Sequence, residues 1–335
     1  MYFCRMKFLR VAVLAAVLLI SAGTLSALPR GYVISPRNAE NIVTEKELLR
    51  EVEFLSDSLC EGRRTGSPGS VRAASMVARK FEAAGVKPLG NSYFHTFSAG
   101  ENAAHNVMGI IPGFSDVGHY IVVTAHYDGH GHLGGNFYPG ADSNASGVVA
   151  MLTVGDMVAR MNRLGKVYGK GLILVALDAK NRNLGGAKHL LDQLRSGSLT
   201  DPSSGKAISL ADIDLLINID QVGSSLSPIS KLRKDYLLML SDESGGRRDA
   251  LLGANRSGVR LDLGFDYYGS KDFTKLFFRK VSDQAPFLDA GVPSVMFTSG
   301  ITMLNNKPQD TPDSLDIPVL KKRIILIFNY LVKIL

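Results

Sequence analysis

Apolar residues along the chain fall into short unbroken runs and longer periodic stretches, and the two kinds alternate. Runs at 105–112, 119–125, 171–178, 213–220, 235–241 and 293–298 have the length and β-branched content of buried strands. Patterns of helical period lie between most of them, at about 145–162, 184–195, 246–256, 271–279 and 316–334. Upstream, Thr44-Glu45-Lys46-Glu47 has the form of a capping box, and Leu48, Leu49, Val52 and Leu55 follow at helical spacing. A loop rich in Gly, Ser and Arg (Ser58 to Gly69) precedes a second helix, Ser70 to Ala84, which Gly85 stops. Alternating strands and helices predict an α/β fold in three layers, with a mixed, mainly parallel sheet covered by helices on both faces. The link through Pro112–Gly118 is too short for a crossover helix, so the strands on either side of it are expected to pair antiparallel.

The first thirty residues follow a different plan. Arg5, Lys7 and Arg10 precede the apolar run Val11–Ala22, and small residues follow up to Ala27. This is the three-part layout of an export signal, with cleavage after Gly23 or Ala27. About twelve apolar residues fall short of the roughly twenty needed to span a bilayer. The expected organisation is a signal peptide at 1–27, an extended leader at 28–43 and one domain at 44–335. The protein is expected to be exported, to a periplasm or to the outside, with no membrane span after cleavage.

Composition refines this picture modestly. With 45% hydrophobic and 21% charged residues in 335, the chain is rich enough in apolar residues to bury a large core. Removing the three bases of the signal lowers the net charge from +7 to +4, and no basic stripe marks a nucleic-acid partner. Cleavage also removes Cys4 and leaves Cys60 alone, so stability must come from core burial rather than an internal disulfide.

Three of the expected strands end in polar clusters: His126-Tyr127-Asp128, Asp178-Ala179-Lys180-Asn181 and Asp220-Gln221-Val222-Gly223. Carboxyl ends of neighbouring parallel strands converge on one crevice, so a shared site is the natural inference. The loop after the first cluster is glycine-rich and carries His130 and His132. Gly129-His130-Gly131-His132-Leu133-Gly134 matches the dinucleotide fingerprint by letter, but Asn136-Phe137-Tyr138-Pro139-Gly140 follows where a helix should open. Together His126, His130 and His132 are a second candidate metal cluster, weighed against the plainer reading of solvated loop histidines.

The segments AHYD, PGADSNASG, VALDAK, INIDQVG, SDQAPFLDAGVP and PQDTPDSLD, in this order, resemble the secreted zinc-dependent aminopeptidases. That family also includes glutaminyl cyclases and is similar to the transferrin-receptor ectodomain. The resemblance runs from about Thr44 to the C-terminus. It implies a zinc exopeptidase fold in which one carboxylate bridges two zinc ions and a Glu acts as general base on metal-bound water. By motif, His126 and Asp220 would hold one metal. The bridging aspartate falls on Ser143, with Asp142 adjacent as a weak residual donor. The general base and the neighbouring ligand Glu fall on Lys180 and Asn181, and the late ligand His on Asn306.

Sliding the register restores neither the glutamates nor the histidine, while a small shift could bring Asp142 to the bridging position. No acid lies between Ala179 and Leu191, and the last histidine of the chain is His189. An ammonium at the base position neither accepts the proton nor tolerates a nearby dication. Glutaminyl cyclase activity fails by the same test, because its single zinc uses the Asp, Glu and His positions replaced here. The resemblance therefore implies an exported homologue without peptidase activity that binds a peptide or protein ligand. No cofactor is expected; a zinc ion would have only the residual donors His126, Asp220 and Asp142. The competing reading is an active aminopeptidase with a rebuilt single-metal site. Lys180 is expected to pair with Asp220 or Asp142, standing in for the lost metal charge. Asp128, Asp178, Ser282, Asp283 and Gln284 are expected to orient these groups or to line the pocket.

Overall fold

The three central apolar runs become strands buried along nearly their whole length, which is why they carry no polar alternation. A computed structural model describes residues 38, 41–114, 118–230, 233–241, 246–267 and 269–335. In chain order its strands are β1 (Lys87–Pro88), β2 (Phe94–Ala99), β3 (Asn102–Ile111), β4 (Tyr120–His126), β5 (Gly131–Leu133) and β6 (Asn136–Tyr138). They continue with β7 (Gly171–Leu177), β8 (Leu199–Thr200), β9 (Ala207–Ile208), β10 (Ile213–Ile219), β11 (Tyr236–Ser241), β12 (Asp262–Gly264) and β13 (Ser294–Thr298). The helices are α1 (Glu45–Ser56), α2 (Pro68–Ala84), α3 (Ser146–Arg163), α4 (Gly185–Ser196), α5 (Arg247–Arg256), α6 (Lys271–Lys280), α7 (Ala285–Asp289) and α8 (Ile317–Ile334).

The main sheet runs β1-β3-β7-β4-β10-β13-β11-β12, with β2 also paired to β3. Strands β7, β4, β10 and β13 are mutually parallel, while β1, β2 and β7 each pair antiparallel to β3. The sheet is therefore mixed and mainly parallel at its centre. One face packs against a large apolar cluster that includes Leu48, Val52 and Leu55 of α1, Phe81 of α2, Val154 of α3 and Ile324 of α8. The other face is covered by Leu190, Leu191 and Leu194 of α4 and by Phe287 of α7. Full burial of each such side chain stabilises the fold by about 1.5–3 kcal/mol.

Local signals explain the start of α1 and both ends of α2. Thr44 Oγ1 accepts from Glu47 N at 3.3 Å, so α1 starts where the capping residues say. Helix α2 begins two residues earlier than the apolar period suggests, because Ser67 caps Ser70 N at 3.1 Å and Pro68 fits the first turn. It ends at Gly85, whose left-handed φ of 74° closes the last turn.

Two expectations are corrected. Strands β3 and β4 do run antiparallel but are not neighbours: β7 inserts between them and pairs with both. The short link joins them across an intervening strand rather than as a hairpin. The leader is not extended to its end, since residues 38, 41 and 42 are helical and deliver Val43 into the core at 3% exposure. The signal at 1–27 and most of the 28–43 leader lie outside the described residues.

Candidate functional site

Register in the parallel sheet decides which side chains meet. His126 lies opposite Leu177, and Thr124 opposite Asn218, so β4, β7 and β10 end within two residues of one another. His126 ends β4, Lys180 lies on the turn after β7, and Asp220 follows β10 directly. Lys180 Nζ lies 2.5 Å from Asp220 Oδ2 and 3.1 Å from His126 Nε2. His126 Nε2 is 3.4 Å from Asp220 Oδ1, and its Nδ1 faces Asp128, 3.2 Å from the backbone O and 3.4 Å from Oδ1. The ion pair expected of Lys180 is therefore formed with Asp220 and not with Asp142.

Asp128 fixes the turn that carries the lysine. Its Oδ1 accepts Lys180 N at 3.0 Å, and its Oδ2 accepts Asn181 N at 3.1 Å and Asn181 Nδ2 at 3.3 Å. Asp220 is held from behind by Ser282 Oγ at 2.5 Å, and Asn218 Nδ2 donates to Ser282 Oγ at 2.8 Å and to Gln284 Oε1 at 2.9 Å. A polar chain thus runs from the sheet interior to the ammonium, with each link hydrogen-bonded as buried polar groups require.

These contacts dominate the ionisation of the cluster. Burial raises the Asp220 carboxyl, but Lys180 and His126 outweigh it and hold it well below the usual range. Burial and the Lys180 ammonium depress the His126 imidazole, yet Asp128 and Asp220 lift it to about 9. Burial likewise lowers Lys180, and Asp220 and Asp283 more than restore it. Asp283, 1% exposed and without a hydrogen-bond partner for either oxygen, is pushed up to about 6 by burial. Lys180 and His126 thus face the buried carboxylates of Asp128 and Asp220, and Asp283 is the acid of the group whose charged form burial disfavours most visibly.

The loop beside this cluster is shaped by residues that the sequence did not flag. Asp310, 2% exposed, accepts Asp142 N at 2.7 Å and Ser143 N at 3.0 Å. Asn144 ties the strand ends together: its Nδ2 donates to Ile219 O and its Oδ1 accepts Gln221 N. Arg63, fully buried, donates to the carbonyls of Leu55, Tyr127, Pro139 and Gly140. Arg63 sits in the Gly/Ser/Arg loop, where nothing in the residue pattern separates it from a solvated arginine. The Asp-Thr pair at 310–311 marked Asp310 only as part of a motif.

The expected site residues separate into distinct places. His126, Lys180, Asn181, Asp220, Ser143 and Asn306 line a single cleft of about 240 Å³, together with His130 and an apolar wall that includes Phe277 and Ile301. Asp142 does not belong with them. Its Oδ1 accepts Gly223 N at 2.7 Å and Ser146 Oγ at 2.9 Å, and the side chain does not line the cleft. Asp178 is buried behind β7, binding Thr65, Tyr127 and the backbone of His105 and Ala179, so it anchors strand ends rather than lining a pocket. Ser282, Asp283 and Gln284 lie beneath the cleft floor and not along its wall. The three loop histidines do not converge: His130 Nε2 meets Asn306 Oδ1 at 2.8 Å, and His132 packs on Phe137.

The donor set does not fit a zinc ion. The ammonium of Lys180 contacts both His126 Nε2 and Asp220, the two donors that a metal would have to share. Asp142 does not line the cleft, and its Oδ1 is committed to a backbone and a hydroxyl donor. Among the described residues no group of three or more His, Cys, Asp or Glu side chains is arranged to hold a metal ion.

Comparison with known proteins gives this arrangement a context. The model of Peptidase family M28 matches residues 106–331. The chain is 23% identical over 205 residues to the alkaline phosphatase isozyme conversion protein of Escherichia coli (strain K12), a stretch covering 55% of this chain and 56% of that protein. The chain thus spans just over half the length of that relative. Among solved structures it is similar to LapB from Legionella pneumophila (TM-score 0.68, 17% identity, 92% of this chain and 76% of that one). It is also similar to BSAP, a zinc aminopeptidase from Bacillus subtilis (TM-score 0.63, 14% identity, 87% and 95%). A third likeness is to Macrostomum lignano glutaminyl cyclase (TM-score 0.68, 16% identity, 92% and 95%). At these identities the structural likenesses establish a shared fold.

Proposed function

The chain belongs to peptidase family M28, and from that premise we propose that it is an exported member that does not hydrolyse peptide bonds and uses the inherited cleft to bind a peptide or protein segment. One observation carries the reading. Lys180 Nζ lies within hydrogen-bonding reach of both His126 and Asp220, the positions that the family resemblance assigns to one metal.

The chemistry supports the same reading. A general base must accept a proton from the attacking water, and a lysine whose carboxylate neighbours stabilise its charged form has no lone pair to offer. Asn181 is spent on orienting the turn through Asp128, and Ser143 presents a hydroxyl where a bridging carboxylate is expected. What the cleft retains is binding capacity: a polar floor of Asn181, Gln221, Asn305 and Asn306 faces an apolar wall of Phe277, Val281, Met296 and Ile301. Amides with both donors and acceptors suit a peptide backbone, and an apolar wall suits its side chains.

The test is zinc content by elemental analysis, combined with hydrolysis of a panel of aminoacyl p-nitroanilides, on the mature protein dialysed against zinc. The expected result is substoichiometric metal and no turnover above buffer. Stoichiometric zinc accompanied by turnover that a chelator abolishes overturns the proposal and favours an aminopeptidase with a rebuilt single-metal site.

A further inference from the structure

The cleft presents its charges unequally. Among the described residues Lys180 is the one Lys or Arg that lines it, and Asp220 the one Asp or Glu. The two side chains pair, but they do not meet a ligand on equal terms. The Asp220 side chain is 4% exposed; its Oδ1 is buried, and its Oδ2 takes both Lys180 Nζ and Ser282 Oγ. Asp128 and Asp283 are buried and do not line the cleft. The Lys180 side chain is 16% exposed, and its ammonium has two partners among the described residues, Asp220 Oδ2 and His126 Nε2. An ammonium carries three protons, so at least one is left for whatever enters. A group reaching the floor therefore meets a cationic donor, while the balancing carboxylate stays covered.

The polar floor continues the bias toward donors. Asn305 Oδ1 accepts Gln221 Nε2 at 3.0 Å, and Asn306 Oδ1 accepts His130 Nε2 at 2.8 Å. Both pairings consume the amide oxygens and leave the Nδ2 groups of Asn305 and Asn306 without a partner among the described residues. Volume limits what can fill the cleft. About 240 Å³ falls below the roughly 300–1,000 Å³ of pockets that enclose a drug-sized ligand, which suits the end of a chain better than a segment passing through. An α-ammonium at the floor would meet a like charge. A carboxylate accepts from the lysine in a charge-assisted hydrogen bond, the stronger kind. A C-terminal residue supplies that carboxylate and, from the same Cα, a side chain for the apolar wall.

We propose that the cleft takes the C-terminal residue of a peptide. Its carboxylate accepts from Lys180 Nζ, its apolar side chain packs on Phe277, Val281, Met296 and Ile301, and carbonyls upstream accept from Asn305 and Asn306. This deepens the reading of the cleft as a peptide-binding site and rests on it.

The experiment is calorimetric titration of the purified protein with hexapeptides of one sequence ending in Leu. With the N-terminus acetylated, the free carboxylate is expected to bind at least about tenfold more tightly than the C-terminal amide. An amidated peptide with a free N-terminus is expected to bind no better than the doubly blocked one. A doubly blocked peptide with an internal Glu separates a side-chain carboxylate from a terminal one, and it is expected to bind as weakly as the amide. Lys180→Met combined with Asp220→Asn keeps the pair neutral and is expected to bring the carboxylate-to-amide ratio to about one, whereas a purely structural role would weaken both peptides alike. Should that variant not fold, Ile301→Ser, at a side chain 40% exposed, is expected to lower the preference for Leu over Ala at the last position about fivefold. Equal affinity for carboxylate and amide, tighter binding of the free amine, an internal Glu that matches the C-terminus, or no binding of any peptide overturns the proposal. So does a carboxylate preference that survives in the double variant, or a Leu preference indifferent to Ile301→Ser. Peptide binding without the carboxylate preference leaves the cleft a binding site. Zinc content and turnover are measured separately and bear on the wider reading alone.

Discussion

Two halves of the inherited site lie within a few ångströms of each other and have fared differently. One half is framework: Asp310 holding the amides of residues 142 and 143, Asn144 lacing Ile219 to Gln221, and Arg63 gathering carbonyls from separate segments. The other half faces the cleft, and there Ser143, Lys180, Asn181 and Asn306 stand where the family resemblance places donors and a base. The framework side chains satisfy backbone groups that are buried whether or not a metal binds, so losing any of them leaves an unpaired donor or acceptor. The cleft-facing positions satisfy few buried groups of the fold. With the Lys180 ammonium paired to Asp220, the fold does not require metal donors at those positions.

The strongest way to test that separation is to rebuild the second half on the first. All four replaced positions line the same cleft as His126, while Asp220 is released when Lys180 is removed. The combined variant Ser143→Asp, Lys180→Glu, Asn181→Glu, Asn306→His is expected to bind about two zinc ions per chain, read by elemental analysis after gel filtration. The parent is expected to retain little. If the rebuilt variant folds with an unchanged circular dichroism spectrum and still takes up no zinc, the framework has drifted along with the donors and the division fails.

Stability sharpens the contrast at the next level. Arg63→Leu takes a donor from the buried carbonyls of Leu55, Tyr127 and Pro139, each worth about 1–3 kcal/mol when left unpaired, so a loss of about 5 kcal/mol or failure to fold is expected. Lys180→Met removes one cation from a cluster of buried carboxylates and is expected to cost about 3 kcal/mol. Pairing it with Asp220→Asn should recover much of that loss, since a neutral pair needs no counter-charge. Urea unfolding of the variants gives the ranking. A smaller loss for Arg63→Leu than for Lys180→Met would show that the cluster, and not the framework, holds this end of the sheet.

The same division explains what was legible in the sequence. Parallel strands buried on both faces announce themselves as apolar runs, and β4, β7, β10 and β13 fall where those runs lie. The edge strand β2 did not, because its exposed and half-buried residues leave no run to see. Lys180 was legible through charge: carboxylates of Asp128, Asp142 and Asp220 expected at one crevice call for a cation, and the lysine pairs with Asp220 even though Asp142 is held elsewhere. Asp142 lies outside the cleft because adjacency in sequence says nothing about direction, and its Oδ1 is held by Gly223 and Ser146. Arg63 was invisible because its partners are all backbone carbonyls, which leave no complementary residue type elsewhere in the chain.

The smallest expected effect is a pH slope, and it asks whether the cleft-facing half is held by charge at all. His126 ordinarily titrates near 6.5, and its carboxylate neighbours lift it to about 9 in the fold. A base with a raised folded pKa contributes stability that is fully present below 6.5 and is lost as pH rises through 9. Asp220, depressed, contributes above its ordinary 3.8 and loses its effect only as pH falls. Asp283, raised to about 6, contributes below 3.8, and that contribution is gone once pH has passed 6. Within this cluster the interval from 6.5 to 9 therefore belongs to His126. Stability should fall there with a slope approaching, and not exceeding, about 1.4 kcal/mol per pH unit. Urea midpoints at half-unit steps measure it, and His126→Gln should flatten the curve over the same interval. Parallel curves for the two proteins would mean that the imidazole is neutral and that its Nε2 accepts a hydrogen bond from the Lys180 ammonium. The ammonium would then be the sole cation facing Asp128 and Asp220, and its removal should cost correspondingly more than the 3 kcal/mol or so expected above.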